Sequence, residues 1–150
     1  MNKKSPNFFA SAKKTFIKEI SSLTKIPKQV DQNKFNKICE LIINCKGNVV
    51  LMGIGKSGNI AAKVSSTLSS TGTSSFYLNA AEASHGDLGL LKENDILFLI
   101  SNSGETIELR NIVLFAKKNN IKIISITANK DSHISKQSDI SIVLPNFVEA

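Results

Sequence analysis

The sequence predicts an α/β fold: a three-layer, doubly wound domain around a five-stranded, mostly parallel sheet in the flavodoxin-like order 2-1-3-4-5, preceded by N-terminal helices. Three observations predict it. Stretches 48–54, 95–101 and 121–127 are nearly continuous runs of apolar residues, as in strands covered on both faces. These runs alternate with amphipathic helical patterns, which implies right-handed βαβ units. Two polar, glycine-containing turns, Gly53–Gly58 and Ser101–Thr106, each follow one of the runs and lead into a helical pattern.

In chain order, residues 1–9 read as a flexible start and 10–150 as the domain. Ala10 to about Leu23 suits a helix with Phe16, Ile17, Ile20 and Leu23 on one side, which Pro27 interrupts. Asp31 is an N-cap candidate for a second helix, with Val30, Phe35, Ile38, Leu41 and Ile42 on its apolar side. Lys46-Gly47-Asn48 ends that helix and begins the core. From there strands are read at 48–54, 74–79, 95–101, 121–127 and 139–144, and helices at 58–70, 105–119 and 132–138.

With 150 residues the chain is long enough for one domain with a substantial core. No apolar run approaches the roughly 20 residues needed to span a bilayer. The basic start Met1-Asn2-Lys3-Lys4-Ser5-Pro6 is not followed by an apolar segment, so a cytoplasmic protein is expected. Cys39 and Cys45 do not make a disulfide framework or a zinc knuckle and read as packed helix thiols. Residues 1–46 hold ten Lys and three acids, equal to the whole net charge of +7. That segment has no Arg and no aromatic interleaving of its lysines, so it reads as a solvated face and not as a nucleic-acid or membrane contact.

In the order 2-1-3-4-5 the ligand crevice opens at the C-terminal ends of strands 1 and 3, where the two polar turns lie. Gly53-x-Gly55-x-x-Gly58 formally matches the dinucleotide fingerprint, but strand 2 ends in Asn79, where that reading wants an acid for the ribose. A phosphate fits better. Ser101, Asn102, Ser103 and Thr106 offer neutral donors, Gly55 and Ser57 line the facing turn, and Lys56 brings a mobile charge. His85, in the loop after strand 2, is placed for acid–base work, whereas His133 reads as a bystander. Glu105 and Glu108 both open the helix after strand 3. Glu105 reads as its cap, and Glu108, one turn in, can face the crevice.

Four segments together resemble the sugar isomerase (SIS) domain of bacterial arabinose-5-phosphate isomerases. They are Gly53-Ile54-Gly55-Lys56-Ser57-Gly58, Ser70-Thr71-Gly72-Thr73, Ala81-Glu82-Ala83-Ser84-His85-Gly86-Asp87-Leu88-Gly89 and Ser101-Asn102-Ser103-Gly104-Glu105-Thr106-Ile107-Glu108. The resemblance runs from about residue 10 to 150 in order and spacing. It implies interconversion of D-ribulose 5-phosphate and D-arabinose 5-phosphate, toward the lipopolysaccharide sugar Kdo. It also implies catalytic positions at Lys56, Glu108 and Glu149, a substrate-binding role for His85, and substrate contacts at Gly72 and Thr73. No metal or organic cofactor is implied, since Asn79 stands where relatives have a histidine linked to zinc. A homo-oligomer, usually a tetramer, is implied as well, with the basic N-terminal helices as interface candidates and no nucleic-acid or membrane partner. Against the family pattern, a further catalytic histidine and paired CBS domains are not in the sequence, so a SIS domain without its C-terminal part is expected. The alternatives are a non-catalytic sugar-phosphate-binding SIS domain and another phosphosugar isomerase.

Overall fold

The computed structural model describes residues 7–83 and 86–146. Three helices come first: α1 (Phe8–Leu23), α2 (Ile26–Gln29) and α3 (Gln32–Ile43). Strands and helices then alternate through β1 (Val49–Met52), α4 (Lys56–Ser70), β2 (Ser75–Tyr77), α5 (Ala80–Ala83), a 3-10 turn at Asp87–Leu90, β3 (Ile96–Ile100), α6 (Ile107–Lys118), β4 (Lys122–Thr127), α7 (His133–Gln137) and β5 (Ile140–Val143). The strands form one sheet in the order β2-β1-β3-β4-β5, parallel throughout, as the alternation predicts.

Because successive residues of a strand face opposite sides, each apolar run feeds two cores. Val50, Met52, Leu97, Leu99 and Ile123 pack under α5, α6 and α7 with Leu109, Ile112, Val113 and Ile134. Val49, Leu51, Ile96, Phe98 and Ile124 pack under α3 and α4 with Ile38, Ala61 and Val64. The two central strands are buried on both faces, and this is why their sequences carry no polar alternation. The domain is therefore three-layered, with β1 and β3 side by side at its centre and their helices leaving to opposite faces.

One expectation at the N-terminus is corrected, the start of the first helix. The first helix begins at Phe8 and not at Ala10, because the Asn7 side chain accepts the Ala10 N–H at 3.0 Å and caps it; residues 1–6 of the expected flexible start lie outside the described residues. The apolar side of α1 does not enter the core. Phe16, Ile17, Ile20 and Leu23 are 58–64% exposed, since α3 and α4 already cover the sheet face nearest in sequence. Phe35 of α3 is also 51% exposed, so that helix buries a narrower stripe around Ile38, Leu41 and Ile42. No helix among the described residues is long and apolar enough to cross a membrane.

Candidate active site

β1 and β3 pair in register from Val49↔Ile96 to Met52↔Leu99, so the turns that follow them leave the sheet next to each other. The first turn is shaped by backbone contact. A Cβ on Gly53 would come within 2.9 Å of the Ser57 carbonyl and the Gly58 N, and one on Gly58 within 2.9 Å of the Gly53 oxygen. Gly55 adopts φ +56 where α4 begins, a conformation that glycine reaches without strain. Tyr77, at the end of β2, donates its hydroxyl to the Gly53 carbonyl at 3.3 Å. Lys56 is the first residue of α4 and exposed, and Ser57 follows it half-buried.

The second turn is shaped by side chains. Ser101 is buried, and its Oγ accepts the Gly104 N–H at 3.1 Å and lies 2.9 Å from Thr106 Oγ1. It thus frames the turn from inside, while Asn102 and Ser103 stay exposed and Thr106 half-exposed. Gly104 adopts φ +66 with Ser132 packed against its α-carbon. The turn is also tied to the segment after β4: the Asn102 carbonyl accepts from Ala128 N at 2.9 Å and from Thr127 Oγ1 at 3.1 Å, and the Gly104 carbonyl accepts from Ile134 N at 3.1 Å. Glu108 lies half-buried in the first turn of α6.

Among the helices that follow strands, capping separates these two turns from the others; α2, which precedes the sheet, also starts without a side-chain cap. The starts of α1, α3 and α7 are capped by the Asn7, Asp31 and Ser132 side chains. The starts of α4 and α6, which flank the crevice, have no side-chain cap. Two sets of helix N–H groups, each at the positive end of a helix dipole, therefore open at one place in the sheet, which suits an anion.

Glu105 departs from its expected role. Its carboxylate does not cap its own helix: Oε1 accepts the His133 N–H at 2.8 Å, at the start of α7, and Oε2 meets Arg110 at 2.7 Å. The His133 N–H and the Arg110 guanidinium both favour its charged form and hold it below the usual carboxylate pKa. This pairing joins residues 28 apart in the sequence and is visible only in the fold. The Ser132 cap of α7 could have suggested where that helix starts, but not what reaches it. The sequence likewise does not single out Tyr77, because nothing local links the end of β2 to the turn after β1.

The structure brings Gly55, Lys56, Ser57, Ser101, Asn102, Ser103, Thr106 and Glu108 to the C-terminal edge of the sheet. It does not bring Gly72 and Thr73 there. They follow α4 and precede β2, and Ser74 beside them bonds Asn48 and Val49 at the opposite edge, where β1 begins. Five residue steps along β1, from Asn48 to Gly53, separate that edge from the crevice, about 16 Å at the rise of a strand. As substrate contacts within a single copy of the chain, those two residues are misplaced. Asn79 caps α5, its Oδ1 accepting from Ala81 N at 3.0 Å. His85 and Glu149 lie outside the described residues.

Comparison with known proteins finds the same family and fold elsewhere. The model of the SIS domain family matches residues 41–149. Arabinose 5-phosphate isomerase KpsF of Escherichia coli O6:H1 is 42% identical over 139 residues, covering 93% of this chain and 42% of that protein. The chain spans less than half the length of the curated relatives it matches. A Listeria monocytogenes protein provisionally assigned as a sugar-phosphate isomerase superposes with a TM-score of 0.92 at 31% identity, over 99% of this chain and 77% of that one. A protein of Escherichia coli CFT073 in complex with arabinose 5-phosphate superposes with a TM-score of 0.90 at 34% identity, over 99% of this chain and 78% of that one.

Proposed function

The chain belongs to the SIS domain family, and from that premise we propose that its crevice is the site of an aldose–ketose isomerisation interconverting D-ribulose 5-phosphate and D-arabinose 5-phosphate. The observation that carries this reading is the pair of helices, α4 and α6, that start without a side-chain cap at the switch point between β1 and β3. That pair suits a phosphate monoester better than a neutral sugar. Among the matching proteins, one is named an arabinose 5-phosphate isomerase and another is in complex with arabinose 5-phosphate, which supports a pentose phosphate.

In this reading the phosphate lies between the turns, held by Gly55, Ser57, Asn102, Ser103 and Thr106, and so fixes the distance to the reacting end of the sugar. Moving the carbonyl between C1 and C2 takes a proton from one carbon to form an enediolate and returns it to the other, while a hydroxyl proton moves the same way between the two oxygens. Glu108 or Glu149 carries the carbon proton, the Lys56 ammonium offsets the charge on the enediolate oxygens, and His85 serves ring opening or oxygen protonation. The scheme uses no metal or organic cofactor. A cytoplasmic protein that feeds Kdo and lipopolysaccharide synthesis belongs to the same reading. So does a homo-oligomer, a tetramer, which two features support: the exposed apolar side of α1, and the position of Gly72 and Thr73, which could reach a sugar phosphate only in a neighbouring copy.

The test is a coupled assay of the purified protein with ribulose 5-phosphate beside a binding titration. Lys56→Ala and Glu108→Gln should each lower kcat by roughly 10²–10³-fold with unchanged circular dichroism. Near-normal turnover in both variants would remove the assignment. Binding without turnover would make the chain a sugar-phosphate-binding domain.

A further inference from the structure

We infer that Glu105 is a positioning residue, a latch that ties the turn Ser101–Thr106 to the start of α7 and so sets the phosphate-holding geometry without meeting substrate. The inference rests on reading that turn as the phosphate anchor. Both carboxylate oxygens are committed, Oε1 to the His133 N–H at 2.8 Å and Oε2 to Arg110 at 2.7 Å. His133 follows β4, which lies on the far side of β3 from β1, so the Glu105 side chain reaches away from the crevice.

α7 has five residues, too few to hold itself as a helix, and its first N–H groups are filled from outside or from its cap. His133 N donates to Glu105, Ile134 N to the Gly104 carbonyl and Ser135 N to Ser132 Oγ. Two of those three acceptors belong to the turn. The turn and the start of α7 are thus one unit, and Glu105 supplies its only charged acceptor at that junction among the described residues. Arg110, one helical turn further along α6, holds the carboxylate in place, but as a half-exposed ion pair it contributes little itself. Without the carboxylate the His133 N–H loses a charge-assisted bond, and Asn102 and Ser103 lose one side of their support.

The experiment uses the full chain and three variants, Glu105→Ala, Glu105→Gln and Arg110→Ala. It measures binding of inorganic phosphate through the amide shifts of residues 102–106, and KM and kcat with ribulose 5-phosphate. Glu105→Ala should weaken phosphate binding and raise KM about tenfold, with kcat within about twofold, the size of one hydrogen bond to a charged group. Glu105→Gln, which keeps an acceptor, should restore most of the binding, and Arg110→Ala should barely change it. Unchanged phosphate affinity in Glu105→Ala overturns the inference, as does a fall in kcat at constant KM, which would put Glu105 at the reacting atoms. No phosphate binding by the wild-type chain overturns it too. Phosphate binding without turnover removes the isomerase reading and leaves the latch to be decided by the phosphate titration. Should Glu105→Ala not fold, the double variant Glu105→Gln/Arg110→Ala should bind phosphate roughly threefold more weakly, and wild-type affinity there overturns the latch.

Discussion

Between Gly53 and Gly58 the chain is held by backbone lying on backbone, with the Tyr77 hydroxyl as an outside support. Between Ser101 and Thr106 it is held by side chains and by bonds to the segment that follows β4. The first turn depends on what its residues lack, since a methyl group at either glycine collides with the main chain. The second depends on what its residues carry, and on a partner almost thirty positions away. A turn of the first kind tolerates loss of a neighbour but not added bulk. A turn of the second kind is sensitive to both, and its geometry follows that of α7.

Substitutions can separate the two. The largest effect is expected from Gly104→Ala, where a Cβ would overlap Ser132, lie 2.8 Å from Thr127 Oγ1 and have to adopt φ +66. Strain and overpacking together should cost about 3 kcal/mol in chemical denaturation followed by circular dichroism. Gly53→Ala meets only a backbone contact at 2.9 Å with no positive φ. It should cost about 2 kcal/mol, and a cost above that of Gly104→Ala would reverse the comparison. Tyr77→Phe removes one donor to the Gly53 carbonyl and should cost about 1 kcal/mol while leaving the amide shifts of residues 101–106 in place. The smallest effect is a pH dependence confined to the second turn. The groups facing Glu105 are Arg110 and the start of α7 at His133, and its pKa lies below 4.5 in the fold. Its contribution is therefore complete above that value and is lost as pH falls through the lowered folded value. The His133 amide should shift in acid in the wild type and not in Glu105→Gln.

The fold was legible because its signals are local. Val49–Met52 and Ile96–Ile100 are apolar on both faces, and the strand order follows from alternation with helices. The two turns were legible for the same reason, since glycine and hydroxyl residues directly follow those runs. Two features were not. Whether the apolar side of α1 finds the core depends on which helices already cover the sheet, a property of the assembled layers and not of the residues Phe8–Leu23. The Glu105–His133 contact crosses from one βα connection to the next, and no periodicity encodes it. Gly72 and Thr73 are different: a parallel sheet sends the chain back to the starting edge before each strand, so their distance from the crevice followed from the predicted topology.

Tyr77 also has a spectroscopic consequence. It is the only tyrosine in a chain with no tryptophan, and its hydroxyl rests on the Gly53 carbonyl. The tyrosine band of this chain, at longer wavelength than its eight phenylalanines, thus comes from one phenol ring at the wall of the first turn. Any rearrangement that loosens that hydroxyl from the carbonyl will change that band. The protein contains its own optical reporter of that turn, without a label.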